Sequence, residues 1–173
     1  ISGEAFRFLD DFPQALEMQL EALQLHRNNK NIAGELNTLT FIGVIYVELT
    51  EYRQGLYYLL EGKKINDKIQ VEGTGNFLLS NIGHTYEKLN FLDSSLWYQQ
   101  LAYNTPGINY APPLKSLIVG RIGTVHDRME HDDKALQYYH LALQYSPENI
   151  NRSGLYNSLA ALHYKTNEKD SAF

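Results

Sequence analysis

Cysteine is absent from the 173 residues, which excludes disulfides, thiolate metal sites and a cysteine nucleophile while leaving the compartment open. Long apolar runs are missing as well. No segment approaches the ~18 residues of a membrane span, and the start does not resemble a signal peptide. Clustered positive charge is lacking: fifteen Lys and Arg stand against twenty Asp and Glu, for a net charge of -5, and no basic run exceeds Lys63-Lys64. Binding to a phosphate backbone needs concentrated cations, so direct nucleic-acid binding is not expected. The motifs GxxxxGK[ST], HExxH and GxSxG do not occur, and Gly73-Thr74-Gly75 is a lone GxG without a strand before it, so no dinucleotide loop or other cofactor site is predicted. Asn151-Arg152-Ser153 fits a glycosylation acceptor, but such triplets arise by chance and matter only in secreted eukaryotic chains. The balance of 43% hydrophobic and 20% charged residues is that of about one folded, soluble domain.

What the chain does have is an internal repeat. Gly3, Gly43, Gly83 and Gly123 lie forty residues apart, and Ala160 continues the series after thirty-seven. The residues just before these markers are Ser2, Ile42, Ile82, Ile122 and Leu159; three after come Phe6, Tyr46, Tyr86, His126 and His163; six after come Leu9, Leu49, Leu89, Met129 and Thr166. Offsets of -1, +3 and +6 share one helical stripe, which defines a helix A. Twelve after each marker stand Ala15, Gly55, Ser95, Ala135 and Ala172, and seven further on Ala22, Gly62, Ala102 and Ala142 are again small. That spacing predicts a helix B whose narrow face presses on a neighbour, since antiparallel helices approach to ~8–10 Å only over short side chains. The glycine of helix A is the matching notch, and its cost of ~1 kcal/mol in a helix interior points to a packing role.

Punctuation agrees with two helices per unit. Polar turns fall at Asp10-Asp11, Thr50-Glu51, Asn90 and Glu130-His131-Asp132, with Pro13 in a first helical turn. Breaks between units fall at Asn28-Asn29, Asn66 to Gly75, Thr105 through Pro113, and Ser146 to Asn149. The expected units are about 1–29, 30–69, 70–109, 110–149 and 150–173, within one domain. No alternating strand pattern with hairpin signals appears, so the prediction is all helix.

The stretches FIGVIYVELTEYRQGLYYLLEGKKI, NIGHTYEKLNFLDSSLWYQQLAY and RIGTVHDRMEHDDKALQYYHLALQYSPEN resemble tetratricopeptide repeats in the Leu/Ile-Gly-x-x-Tyr core of helix A, the early small residue of helix B and its later Ala-Leu. The period of forty exceeds the family's usual 34 and is similar to longer-helix variants in bacterial sensor kinases, regulators and peptide receptors. The resemblance implies an all-α, right-handed superhelical solenoid of antiparallel helix pairs, with a concave face built mainly from helix A. Carried over position by position, it implies a peptide-binding face that includes Asn37, Thr40, Val44, Glu48, Phe77, Ser80, Asn81, His84, Glu87, Lys88, Arg121, Thr124, Asp127, Arg128, Asn157 and Tyr164. Amides, hydroxyls, rings and both charges suit an extended peptide or a partner helix. Some family members grip a chaperone's C-terminal carboxylate with a Lys/Asn, Asn, Lys/Arg set. Asn81 and Arg121 match that set, but Thr40, Val44 and Leu117 replace the first Lys, its Asn and the second Lys, so that ligand is not predicted.

The densest titratable cluster is His126 to Asp133. His126 and Glu130 are i, i+4 and could share a metal, which gives one alternative reading, an enzyme or metal protein centred on this pair. Against it, His126 occupies the column of Tyr46 and Tyr86, and His131 is expected ~140° away or in the turn, so three ligands do not converge. Met18, Tyr58, Tyr98 and Tyr138, with Tyr57, Trp97 and Tyr139 nearby, form an aromatic column expected to pack between units. Rings left exposed there would mark a self-association surface and a possible homodimer, the other alternative being a structural dimerisation arm.

The function expected is therefore a non-catalytic scaffold that binds a protein or peptide partner, with no metal and no membrane contact. Neither Ile1 nor Phe173 resembles a natural terminus or a polar capping unit, so the chain is expected to belong to a longer array. By family analogy that array is a bacterial signalling protein, cytoplasmic or the periplasmic sensor region of a membrane kinase.

Overall fold

The structure, a computed structural model, describes residues 12–69, 74–147 and 152–171. Ser2, Gly3, Phe6, Leu9, Gly73, Asn151, Ala172 and Phe173 lie outside them. Among the described residues the elements are α1 (Phe12–Asn28), α2 (Ile32–Glu48), α3 (Tyr52–Ile69), α4 (Thr74–Lys88), α5 (Leu92–Asn104), a short 3-10 turn (Ile108–Tyr110), α6 (Pro112–Arg128), α7 (Asp132–Tyr145) and α8 (Ser153–Ser171), with no strand. Helices α2, α4, α6 and α8 carry the marker columns of helix A; α1, α3, α5 and α7 carry those of helix B. The chain is an all-α solenoid of antiparallel helix pairs.

Helices α2, α4 and α6 each end on a residue held in the left-handed region: Thr50 at φ 64°, Asn90 at 66° and Glu130 at 60°. The amide of the following residue reaches back to the helix, from Glu51 to the Tyr46 carbonyl, Phe91 to Tyr86 and His131 to His126, each at 2.9 Å. This six-to-one closure satisfies the terminal carbonyls and reverses the chain within two residues. Lys30 closes α1 in the same way, at φ 55°.

The reversal lets helices A and B meet at the predicted notches. A Cβ built at Gly43 would stand 2.6 Å from Leu59 Cγ and 3.0 Å from the Gly55 carbonyl; at Gly55 it would meet Val47 Cγ2 at 2.7 Å; at Gly123, the Tyr139 ring at 2.8 Å. Gly62 differs, since its nearest neighbours would be at 3.5–3.6 Å, ordinary contact. The aromatic column stacks on helix A of its own unit: Tyr46 on Tyr58, Tyr86 on Tyr98 and His126 on Tyr138, with centroids 5.3–5.4 Å apart. Tyr98 also packs against the apolar clusters on both sides of its unit. The rings thus join helices within a unit as well as between units. Tyr57, Trp97 and Met18 are exposed.

The core is a chain of clusters that bridge successive units, as with Leu36, Leu59, Leu78 and Ile82 across α2 to α4. The connection from Thr105 is no loose loop. Gly107 turns it at φ 91°, Ile108 is buried among Leu79, Ala102, Ile118 and Ile122, and Pro112-Pro113 form the first turn of α6, where a missing amide costs nothing. Successive A helices touch one another along the array, whereas among the described residues no B helix makes comparable contact with the next. Closer spacing on one side bends the stack and puts helix A on the inside of the curve.

Candidate functional site

The inner face is built from the bottom by buried polar groups. Asn76 donates to the carbonyls of Ala102 at 2.8 Å and Thr105 at 2.9 Å. Ser116, one unit later, donates to Ala142 O at 2.8 Å, so each ties an A helix to the end of its own B helix. In the third unit Gln99 stands where the neighbouring units have Leu59 and Tyr139. It is fully buried; Ser80 Oγ donates to its Oε1 and its Nε2 donates to the Ser80 carbonyl, both at 2.9 Å. A buried amide stays only if both ends are satisfied, and Ser80 meets both.

Arg121 rests on this layer. Its Nη1 donates to Ser80 Oγ at 2.8 Å and to Asn81 Oδ1 at 3.3 Å, with Nη2 at 3.4 Å from the same oxygen. All its acceptors are neutral. Burial pushes the guanidinium down to about 10, only partly offset by the more distant charges of Glu87 and Glu48, and among the described residues no carboxylate bonds to it.

Other charges of the face are paired across units. Arg128 of α6 donates to the carboxylate and the carbonyl of Glu87 in α4 and to Asn90 Oδ1 at 2.9 Å. His84 Nδ1 lies 3.4 Å and Lys88 Nζ 3.9 Å from Glu87 Oε2. Burial would raise the Glu87 carboxyl, but hydrogen bonds from His84 and Arg128 and the Lys88 charge hold it at about 2. One unit later Lys165 donates to Asp127 and Asp132, both at 2.8 Å, and these bonds raise its ammonium above the ordinary lysine range. An acid four after one marker therefore binds a base five after the next.

Among the sequence-predicted residues, Asn37, Glu48, Lys88, Arg128, Asn157 and Tyr164 are exposed, and Val44, Phe77, His84, Arg121, Thr124 and Asp127 are half-buried. Thr40, Ser80, Asn81 and Glu87 are buried. Thr40 Oγ1 is turned onto the Leu36 carbonyl at 2.9 Å, so it and Ser80 underpin the face. Gln99 and Lys165 belong to the network although they were not among the predicted residues; a lone polar side chain in an apolar column was the legible signal for Gln99. Phe41 was missed as well. It is exposed in the column of Asn81 and Arg121, with its ring 6.4 Å from Phe77. A cavity of about 360 Å³ opens between α6 and α8, and a smaller one of about 130 Å³ between α4, α5 and α6; Arg121 and Thr124 line both.

The histidine cluster departs from expectation in one respect. His131 lies at the start of α7 with its Nδ1 3.3 Å from that of His126, because the six-to-one turn folds it back over the helix end. His126 is buried beneath Tyr138, and Glu130 is exposed. Among the described residues no three His, Asp or Glu are grouped to hold a metal, and no described helix is long and apolar enough to cross a membrane.

No family model and no curated protein matches the chain. Solved structures do. BtubC (BKLC) from P. vanneervenii superimposes with a TM-score of 0.72 at 12% identity, over 90% of this chain and 66% of that one. This chain thus spans just under two thirds of BtubC. MamA superimposes at 0.61 with 20% identity, over 99% and 88% of the two chains, and MamA AMB-1 at 0.53 with 13% identity, over 93% and 87%. At these identities the likeness establishes the fold, a tetratricopeptide-like helical solenoid.

Proposed function

We propose that the chain is a non-catalytic scaffold whose inner face, along α2, α4, α6 and α8, holds a peptide segment or partner protein. The observation that carries this reading is Arg121, a half-buried cation on the inner face that is bonded, among the described residues, only to the neutral Ser80 and Asn81. Such a charge is costly alone and gains most when a partner supplies the acceptor. The neighbouring pairs Glu87–Arg128 and Asp127–Lys165 hold the A helices in register, so that the face meets a ligand preformed. Exposed Phe41 and Leu117 add apolar contact on the same side. We further propose, by analogy of fold, that the chain serves as a sensor or regulatory module of a larger bacterial signalling protein.

The test is selection of displayed random peptides on the full chain, repeated on Arg121→Gln. Peptides that bind the parent at micromolar strength and lose about tenfold or more on the variant support the reading. Enriched peptides indifferent to Arg121 and to Phe41→Ser, or turnover of a small substrate in place of peptide binding, would contradict it.

A further inference from the structure

The third and fourth units present different surfaces at equivalent inner positions. Three before the marker the units carry Thr40, Ser80 and then Gly120, and six before it Asn37, Phe77, Leu117 and then Gly154. Gly120 and Gly154 both line the α6–α8 boundary; the missing side chain at Gly154 leaves room for the cavity of about 360 Å³, whereas Gly120 lets Leu155 approach, since a Cβ there would stand 3.0 Å from Leu155 Cδ2. A Cβ at Gly154 would meet nothing within 4 Å. The walls are Leu117, Leu155, Pro113 and the buried Tyr139 ring, with hydroxyls of Ser158 and Thr124 at the rim. That volume lies at the low end of ligand pockets, ~300–1,000 Å³, and suits one large side chain better than a whole cofactor.

Arg121 forms one edge of this cavity and, unlike Arg128 and Lys165, has no carboxylate among its bonding partners. On its other side Ser95 Oγ, fully buried and without a hydrogen-bond partner, lines the small adjoining cavity. Apolar walls beside an uncompensated cation call for an apolar group and an anion held a few ångströms apart.

We propose that the α6–α8 cavity is a specificity pocket that takes an aromatic side chain of the partner segment, with the carboxylate of an adjacent Asp or Glu on Arg121. This deepens the peptide-binding reading and rests on it. The ring displaces water from Leu117, Leu155 and Tyr139, and the carboxylate replaces the neutral acceptors of the guanidinium with a charge-assisted, two-pronged bond.

The probes are three blocked dipeptides, N-acetyl-Trp-Glu amide, N-acetyl-Trp-Gln amide and N-acetyl-Ala-Glu amide, titrated into the isotope-labelled full chain and followed by amide NMR shifts. The expected result is saturable movement of Gly120, Gly154 and Leu155 by Trp-Glu with a Kd on the order of 1 mM. The other two dipeptides should bind about tenfold more weakly. Gly154→Leu, which fills the cavity from an open position, should abolish the response, and Ser158→Met, one turn further along α8, should block it as well. Arg121→Gln should make Trp-Glu and Trp-Gln equivalent. Absence of saturable shifts, equal binding of Trp-Glu and Trp-Gln by the parent, or a response that survives both filling variants would overturn the pocket. If those dipeptides fail while displayed peptides still depend on Arg121, the pocket is wrong and the scaffold reading stands. If no displayed peptide depends on Arg121, the scaffold reading falls on its own.

Discussion

A methyl group on Gly43 would sit 2.6 Å from Leu59 and 3.0 Å from a backbone carbonyl, whereas one on Gly62 would find its neighbours at 3.5 Å or more. Both glycines stand in small-residue columns of the repeat, Gly43 on helix A and Gly62 on helix B, and they carry opposite predictions. Gly43→Ala should cost about 1–3 kcal/mol through overpacking against backbone. Gly62→Ala should gain about 0.5–1 kcal/mol by restricting the unfolded chain and filling ordinary contact distance. Urea unfolding of both variants checks the pair. His126 stands where the second and third units carry Tyr46 and Tyr86. Burial, and then the charges of Lys134 and His131, lower its pKa below 6.5. The unfolded chain then takes the proton first, so the stability present above pH 6.5 is lost as the pH falls below it. His126→Tyr, which restores the ring of Tyr46 and Tyr86 beside a cavity it also lines, should remove that dependence and gain on the order of 1 kcal/mol, read from melting curves across pH 5–8. The glycine notches were legible in the sequence because they recur. Phe41 and the His126–His131 contact were not, because periodicity reports only what is shared, and Gln99 could be seen only as the polar exception in an apolar column.

At the scale of the element, each turn is a six-to-one closure that asks for a left-handed residue, and Thr50 supplies it with a β-branched side chain at φ 64°. That conformation costs about 1–2 kcal/mol for a side-chain-bearing residue. Thr50→Gly should therefore stabilise the chain by about 1 kcal/mol net of the glycine's own entropy, seen as a raised urea midpoint. Asn90, which tolerates the region better, should gain less from the same change. Between elements, Glu87 joins α4 to α6. With its carboxyl held at about 2 against the ordinary 4.5, it contributes stability that is present above pH 4.5 and lost as the pH falls through about 2. Glu87→Gln should cost on the order of 2–3 kcal/mol at pH 7 and flatten the acid limb of the stability profile. Acid titrations of parent and variant by circular dichroism separate these outcomes. Helix ends and turn positions could be read from Thr50, Asn90 and Glu130. The ion pairs could not, since their partners stand about forty residues apart and meet only once the units are stacked.

At the scale of the molecule, A helices that touch and B helices that do not bend the rod so that one face gathers the side chains of four helices. The solenoid and its inner side followed from the repeat and from the family resemblance. The uneven character of that side did not. Charges pair between α4 and α6 and between α6 and α8, Arg121 has no carboxylate among its bonding partners in the described residues, and glycine at 154 opens a cavity where other units carry larger side chains. The account therefore stands on where a ligand lands. The most direct measurement is a hydrogen-exchange footprint of the full chain with a selected peptide bound. The prediction is protection along α4, α6 and α8, strongest around residues 117–124 and 154–158, with α5 and α7 unchanged. Protection confined to the outer helices, around Trp97 and Tyr138, would contradict it.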